Sequence, residues 1–184
     1  MPNLFGFGVA AVLAAGLLGA SVASSAADYA QPATAAAVKA GPSAVSSEAL
    51  FAASFKDFDR KIQPLVQYKG QPLLIYFWAT WCASCKQEVP ELKALHEKYK
   101  ERNLRVIGIS ADNTDKVHDF ARAQGIDYTL LLGSDDAIEL SKKLGNKVGG
   151  LPFTVVVDAQ GKIVDTVLGA AAPGRFEELI RPLL

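Results

Sequence analysis

The stretch from Leu73 to Cys85 constrains this chain more than any other. Leu73-Leu74-Ile75-Tyr76-Phe77-Trp78 is an unbroken apolar and aromatic run. A run without polar alternation fits a strand covered on both faces. Four residues after Trp78 comes Cys82-Ala83-Ser84-Cys85. From Ala83 to about Glu101 the apolar residues Cys85, Val89, Leu92, Leu95 and Tyr99 recur at helical spacing. Pro90 lies inside that helix and is expected to kink it. A doubly covered strand followed by an amphipathic helix belongs to a layered α/β domain.

This layout sets Cys82 where the helix begins. The first helical N–H groups have no partner in the helix and carry a positive partial charge. A thiolate there is stabilised, so its pKa falls below the free value of about 8.5. Cys82 is therefore expected to be the exposed nucleophile, with Lys86 as a nearby cation. Cys85 continues the apolar stripe and is expected to be buried. It is near enough to attack a mixed disulfide at Cys82. The chain has only 2 cysteines. That rules out a four-thiolate zinc site or a multi-bridge scaffold within one chain. A purely structural bridge across so short a loop would constrain little of the unfolded chain. The spacing alone also fits half a metal site; the strand before it and the helix behind favour redox chemistry.

The remaining pattern completes the layers. Arg105 to Ser110 reads as a strand, Thr114 to Gln124 as a helix, Tyr128 to Leu132 as a short strand and Asp135 to Leu144 as a helix stopped by Gly145. Thr154 to Asp158 and Ile163 to Leu168 flank a Gly-containing turn and read as an antiparallel hairpin. A last helix is expected to start near Pro173, which suits a first helical position. The sheet is therefore mixed. With a formal net charge of +0, no basic stripe marks a nucleic-acid surface.

Phe77-Trp78-Ala79-Thr80-Trp81-Cys82-Ala83-Ser84-Cys85-Lys86-Gln87-Glu88-Val89-Pro90 resembles the active-site stretch of the thioredoxin superfamily, and within it the exported TlpA/ResA-type reductases. Gly150-Leu151-Pro152-Phe153-Thr154-Val155-Val156-Val157-Asp158 resembles the family's cis-proline strand. The resemblance covers about Phe55 to Leu184. It implies a thioredoxin-like fold: a mixed central sheet flanked by helices. It also implies a cis bond before Pro152, with the Leu151-Pro152 turn against the sulfurs and the Leu151 backbone free to pair with an extended substrate segment. The 66 residues from Lys86 to Leu151 exceed the spacing of plain thioredoxins. The extra helix and strand, about Asp112 to Leu132, are typical of the TlpA/ResA and peroxiredoxin-like branches. Two positions depart from the pattern. Ser84 stands where the subgroup usually has proline, and Tyr76 replaces the buried acid of plain thioredoxins. Glu88 is expected to be a solvated helix residue, Trp81 to pack beside the site, Trp78 to be core, and His96 and His118 to be surface or boundary residues.

The ends of the chain add an expectation about location. Residues 1–27 carry no charged side chain, and Leu4 to Ala23 is apolar except for Ser21. Ser25-Ala26-Ala27 fits a signal-peptidase pattern. Twenty apolar residues also suffice to span a bilayer core of about 30 Å. Residues 1–27 thus read as a signal peptide or an N-terminal anchor, 28–47 as a flexible linker rich in Ala, Ser and Pro, and 48–184 as the thioredoxin-like domain. The expected function is thiol–disulfide exchange with protein thiols by an exported, periplasmic protein, with tethering to the inner membrane through residues 1–27 as the alternative to release. By resemblance it acts as a reductant of the cytochrome c maturation or copper-centre assembly type, with a membrane thiol carrier as electron donor. Neither cofactor nor metal is expected. Two other readings stand beside it. A thiol peroxidase would need Pro-x-x-x-Thr-x-x-Cys, but Thr80 lies two residues before Cys82. A copper-delivery protein would use wider cysteine spacing and a histidine near Pro152.

Overall fold

We describe residues 38–40 and 45–184 of a computed structural model. The leader read over 1–27 lies outside them. Among the described residues no helix is long and apolar enough to cross a membrane.

Eight strands form one sheet. In chain order they are β1 (Val38–Ala40), β2 (Ser54–Lys56), β3 (Ile62–Pro64), β4 (Leu73–Trp78), β5 (Arg105–Ser110), β6 (Thr129–Leu132), β7 (Phe153–Val157) and β8 (Ile163–Leu168). The described residues also form five α-helices: α1 (Glu48–Ala52), α2 (Ala83–Tyr99), α3 (Thr114–Gln124), α4 (Ser134–Lys143) and, after β8, α5 (Arg175–Ile180). The spatial order is β1-β8-β7-β4-β5-β6-β2-β3. β4 runs parallel to β5 and antiparallel to β7. Parallel neighbours need a crossover, which α2 supplies between β4 and β5 and α3 between β5 and β6. The β7–β8 hairpin closes over Gly161, whose φ of 84° is the left-handed conformation that favours glycine. The fold is thioredoxin-like, as the sequence suggested.

All six residues of β4 are buried. Alternate side chains enter opposite layers. Leu74, Tyr76 and Trp78 join Cys85, Leu92 and Tyr99 of α2, Val117 of α3 and Phe176 of α5. Leu73, Ile75 and Phe77 join Leu50 of α1, Leu140 of α4 and Val155 of β7. The helix α2 continues through Pro90 to Tyr99.

Three expectations need correction. The stretch read as a linker contributes β1, which adds to β8 at the sheet edge. β2 and β3 were not foreseen; at three residues each, with β2 paired to β6 across a long sequence gap, they leave no periodic signal. α5 begins at Arg175, two residues after Pro173, which is therefore not its first helical residue. The Arg175 N–H donates to the Ala172 carbonyl (3.0 Å), and Gly174 has φ 80°. Proline followed by a left-handed glycine makes a type II turn, and that turn precedes the helix.

Candidate active site

Cys82 is the N-cap of α2. It follows β4 after the short turn Ala79-Thr80-Trp81, and its N–H donates to the Ala79 carbonyl (3.2 Å). The turn is tied down from β5. Asp112, just past that strand, accepts the Thr80 N–H (3.0 Å) and the Thr80 hydroxyl. Its other oxygen accepts the Asn113 N–H (2.6 Å). Burial alone would raise the Asp112 pKa; these donors outweigh it and hold the carboxyl below its usual range.

Cys82 and Cys85 are joined as a disulfide with Cα atoms 5.2 Å apart. The Cys85 N–H donates to Cys82 Sγ at 3.2 Å, an orphan helix donor aimed at that sulfur. The Ser84 hydroxyl lies 3.5 Å from the same sulfur. Cys85 is 0 % exposed, as the apolar stripe requires. Cys82 was expected to be exposed, but it is only 7 % accessible, a narrow opening beside the 66 % exposed indole of Trp81. The capping geometry explains the difference, because it folds the Cys82 sulfur over the first turn.

Glu88 is the clearest correction. It was expected in solvent, yet it is 7 % exposed. The Tyr76 hydroxyl donates to its Oε2 (2.6 Å) and to the Cys85 carbonyl (3.2 Å). The Ala171 N–H donates to Oε1 (2.7 Å). Burial pushes the Glu88 carboxyl above its ordinary value despite these donors. Burial, then the Glu88 charge, pushes the Tyr76 phenol far up, so Tyr76 remains a donor. A buried acid is thus present behind the cysteines, delivered by α2 and held by the tyrosine of β4. The signal was available: Glu88 lies three residues after Cys85 and four before Leu92, on the buried stripe itself.

The Leu151–Pro152 bond is cis. Pro152 is buried and Leu151 half-buried. β7 begins at Phe153, opposite Phe77, which brings Leu151 and Pro152 to the end of the sheet from which Cys82 emerges. The ladders stop at Phe153, so the Leu151 backbone lies outside them. Trp78 is fully buried, as expected. His96 and His118 are half-buried and stack edge-on with Tyr128 and Phe58.

A mixed sheet whose central strand leads into a helix capped by Cys82 and carrying Cys85, with a cis-proline turn at the same end of the sheet, defines a thioredoxin-superfamily oxidoreductase. Residues 48–166 match the AhpC/TSA family. The thiol-disulfide oxidoreductase ResA of Bacillus thuringiensis (strain Al Hakam) is 30% identical over 130 residues, covering 69% of this chain and 72% of that protein. The thiol:disulfide interchange protein HelX of Rhodobacter capsulatus is 34% identical over 116 residues, 62% of each chain. The solved structure of MTB dsbF shares the fold, with a TM-score of 0.65 at 22% identity over 74% of this chain and 98% of that one. The chain belongs to the AhpC/TSA family, among its ResA-like thiol–disulfide oxidoreductases.

Proposed function

We propose that this is an exported reductant of protein disulfides, with Cys82 attacking and Cys85 resolving. One observation carries the order of the two cysteines: Cys82 Sγ receives the helix N-terminal N–H at 3.2 Å, and Cys82 is 7 % exposed where Cys85 is 0 %. In the reduced protein, the Cys82 thiolate attacks a substrate disulfide. One substrate thiolate leaves, and a mixed disulfide joins Cys82 to the other half. Cys85 then loses its proton and attacks Cys82 Sγ, releasing the second substrate thiolate. The substrate gains two electrons and two protons, and the protein keeps the disulfide. Glu88, one turn beyond Cys85 and raised by burial, is the group suited to take the Cys85 proton. Trp81, Leu151 and Pro152 form the docking surface, with the Leu151 backbone adding a substrate segment as a strand.

The reducing direction rests on the weak stabilisation of the Cys82 thiolate. Lys86 is the only cation in the segment from Trp81 to Val89, and no histidine separates the cysteines. A strong oxidant depends on an unusually stable thiolate. The apolar leader supports export, cleaved or retained as a tether. An exported reductant needs a donor, for which a membrane thiol carrier is the chemistry required. The resemblance favours cytochrome c thiols or copper-centre assembly proteins as substrates. Equilibration with glutathione tests the direction. The potential should lie nearer about −270 mV than about −120 mV; a value above about −170 mV would make the protein an oxidase.

A further inference from the structure

The segment before Leu151 has a composition that should leave it loose. Gly145, Gly149 and Gly150 occupy three of its six positions, and glycine loses the most freedom on being fixed. Yet one side chain pins it. Asn146 is 0 % exposed. Its Nδ2 donates to the Gly150 carbonyl (2.8 Å) and to Ser141 Oγ (3.1 Å), and its Oδ1 accepts the Gly150 N–H (3.1 Å). Ser141 in turn donates to the Ile138 carbonyl of α4 (2.8 Å). The Asn146 carbonyl also accepts the Gly149 N–H (3.0 Å).

These are the two bonds that a neighbouring strand would give Gly150, made by a carboxamide instead. In extended chain the N–H and C=O of one residue point to one side, and those of the next residue to the other. The residue before a proline is held in extended conformation. The Gly150 groups are committed to Asn146, and the Leu151 backbone next to them lies outside the sheet ladders. We infer that Asn146 is a positioning residue for substrate docking, fixing Gly150 so that the Leu151 backbone is presented to an extended peptide segment. The inference rests on the proposed role of Leu151 as a docking strand.

The test compares two disulfides attacked by the reduced protein: the interchain bonds of insulin, which lie in peptide backbone, and cystamine, which has none. Asn146→Ala removes all three side-chain bonds. Asn146→Asp keeps the acceptor for Gly150 N–H and loses both donations. Ser141→Ala removes the brace from α4 but leaves both bonds to Gly150. The insulin-to-cystamine rate ratio should fall about tenfold in the Asn146 variants, the worth of one docking hydrogen bond. Ser141→Ala should lower thermal stability with the ratio unchanged. If Asn146→Ala does not fold, Asn146→Asp against Ser141→Ala decides the matter. An unchanged ratio in the Asn146 variants, or an equal fall in Ser141→Ala, would overturn the role of Asn146. Wild-type protein that reduces cystamine but not insulin would instead overturn the docking reading on which it rests.

Discussion

The two faces of the central sheet are built from the same strands and differ in kind. On one, Leu73, Ile75, Phe77, Ile107, Ile109 and Val155 meet α1 and α4 in a layer of aliphatic and aromatic side chains. On the other, the equivalent alternate positions of β4 include Tyr76, and the helix laid over them carries Cys82, Cys85 and Glu88. Burying an unpaired polar group is costly. Around Tyr76 the redox face meets that cost by pairing: phenol to carboxylate, phenol to the Cys85 carbonyl, and the Ala171 N–H to the carboxylate. One face is apolar side chains throughout. The other carries a hydrogen-bonded acid in the layer beneath the cysteines.

If that division is right, equal insults to the two faces have unequal consequences. Phe77→Ala, in the apolar layer against Phe153, should cost about 3–5 kcal/mol of stability. It should leave the thiol reactivity of the folded fraction unchanged. Urea unfolding and alkylation rates on one sample check both, and a changed alkylation rate would break the division. Tyr76→Phe, one residue away on the redox face, should cost less, about 1–3 kcal/mol for the Glu88 oxygen left without its donor. It should, however, move the pH profile of exchange. Without the donating phenol the buried Glu88 carboxyl rises further, so any step that needs its anion shifts to higher pH.

The smallest effect is a slope. The folded-state pKa of Glu88 is raised above the ordinary 4.5, so the folded protein holds this proton more tightly than the unfolded chain. The stability it contributes is fully present below about pH 4.5 and is lost as pH rises through the raised value. Glu88→Gln stays neutral and should flatten that decline. Glu91, also raised by burial, preserves part of it. Urea midpoints measured across the acid range report the slope, and identical slopes in the two proteins would place Glu88 in water, as the sequence had suggested.

What was legible in the sequence follows the same division. The strand Leu73–Trp78, the helix after Cys82 and the hairpin around Gly161 announce themselves by unbroken hydrophobicity, helical period and turn chemistry. The cysteine pair and the Leu151-Pro152 turn were read together from two blocks far apart in the chain. Glu88 was misread because residue type was weighed above position: a glutamate is usually solvated, but this one sits on the stripe defined by Cys85 and Leu92. Asp112 and Asn146 left no local signal at all. Each acts on a loop that only the fold brings near it, Thr80 in one case and Gly150 in the other, and a side chain that caps backbone at long range has no periodicity to betray it. β2 and β3 were lost for a related reason, since each of these three-residue strands exposes more than it buries.

The central claim is the order of the two sulfurs, and a trapping experiment reaches it most directly. The reduced Cys85→Ser and Cys82→Ser variants are each mixed with insulin, and the covalent adducts are resolved by mass. Cys85→Ser should accumulate a stable mixed disulfide through Cys82, because attack proceeds and resolution cannot. Cys82→Ser should accumulate none, because the fully buried Cys85 cannot meet a protein disulfide. Adducts forming faster through Cys85 than through Cys82 would contradict the account.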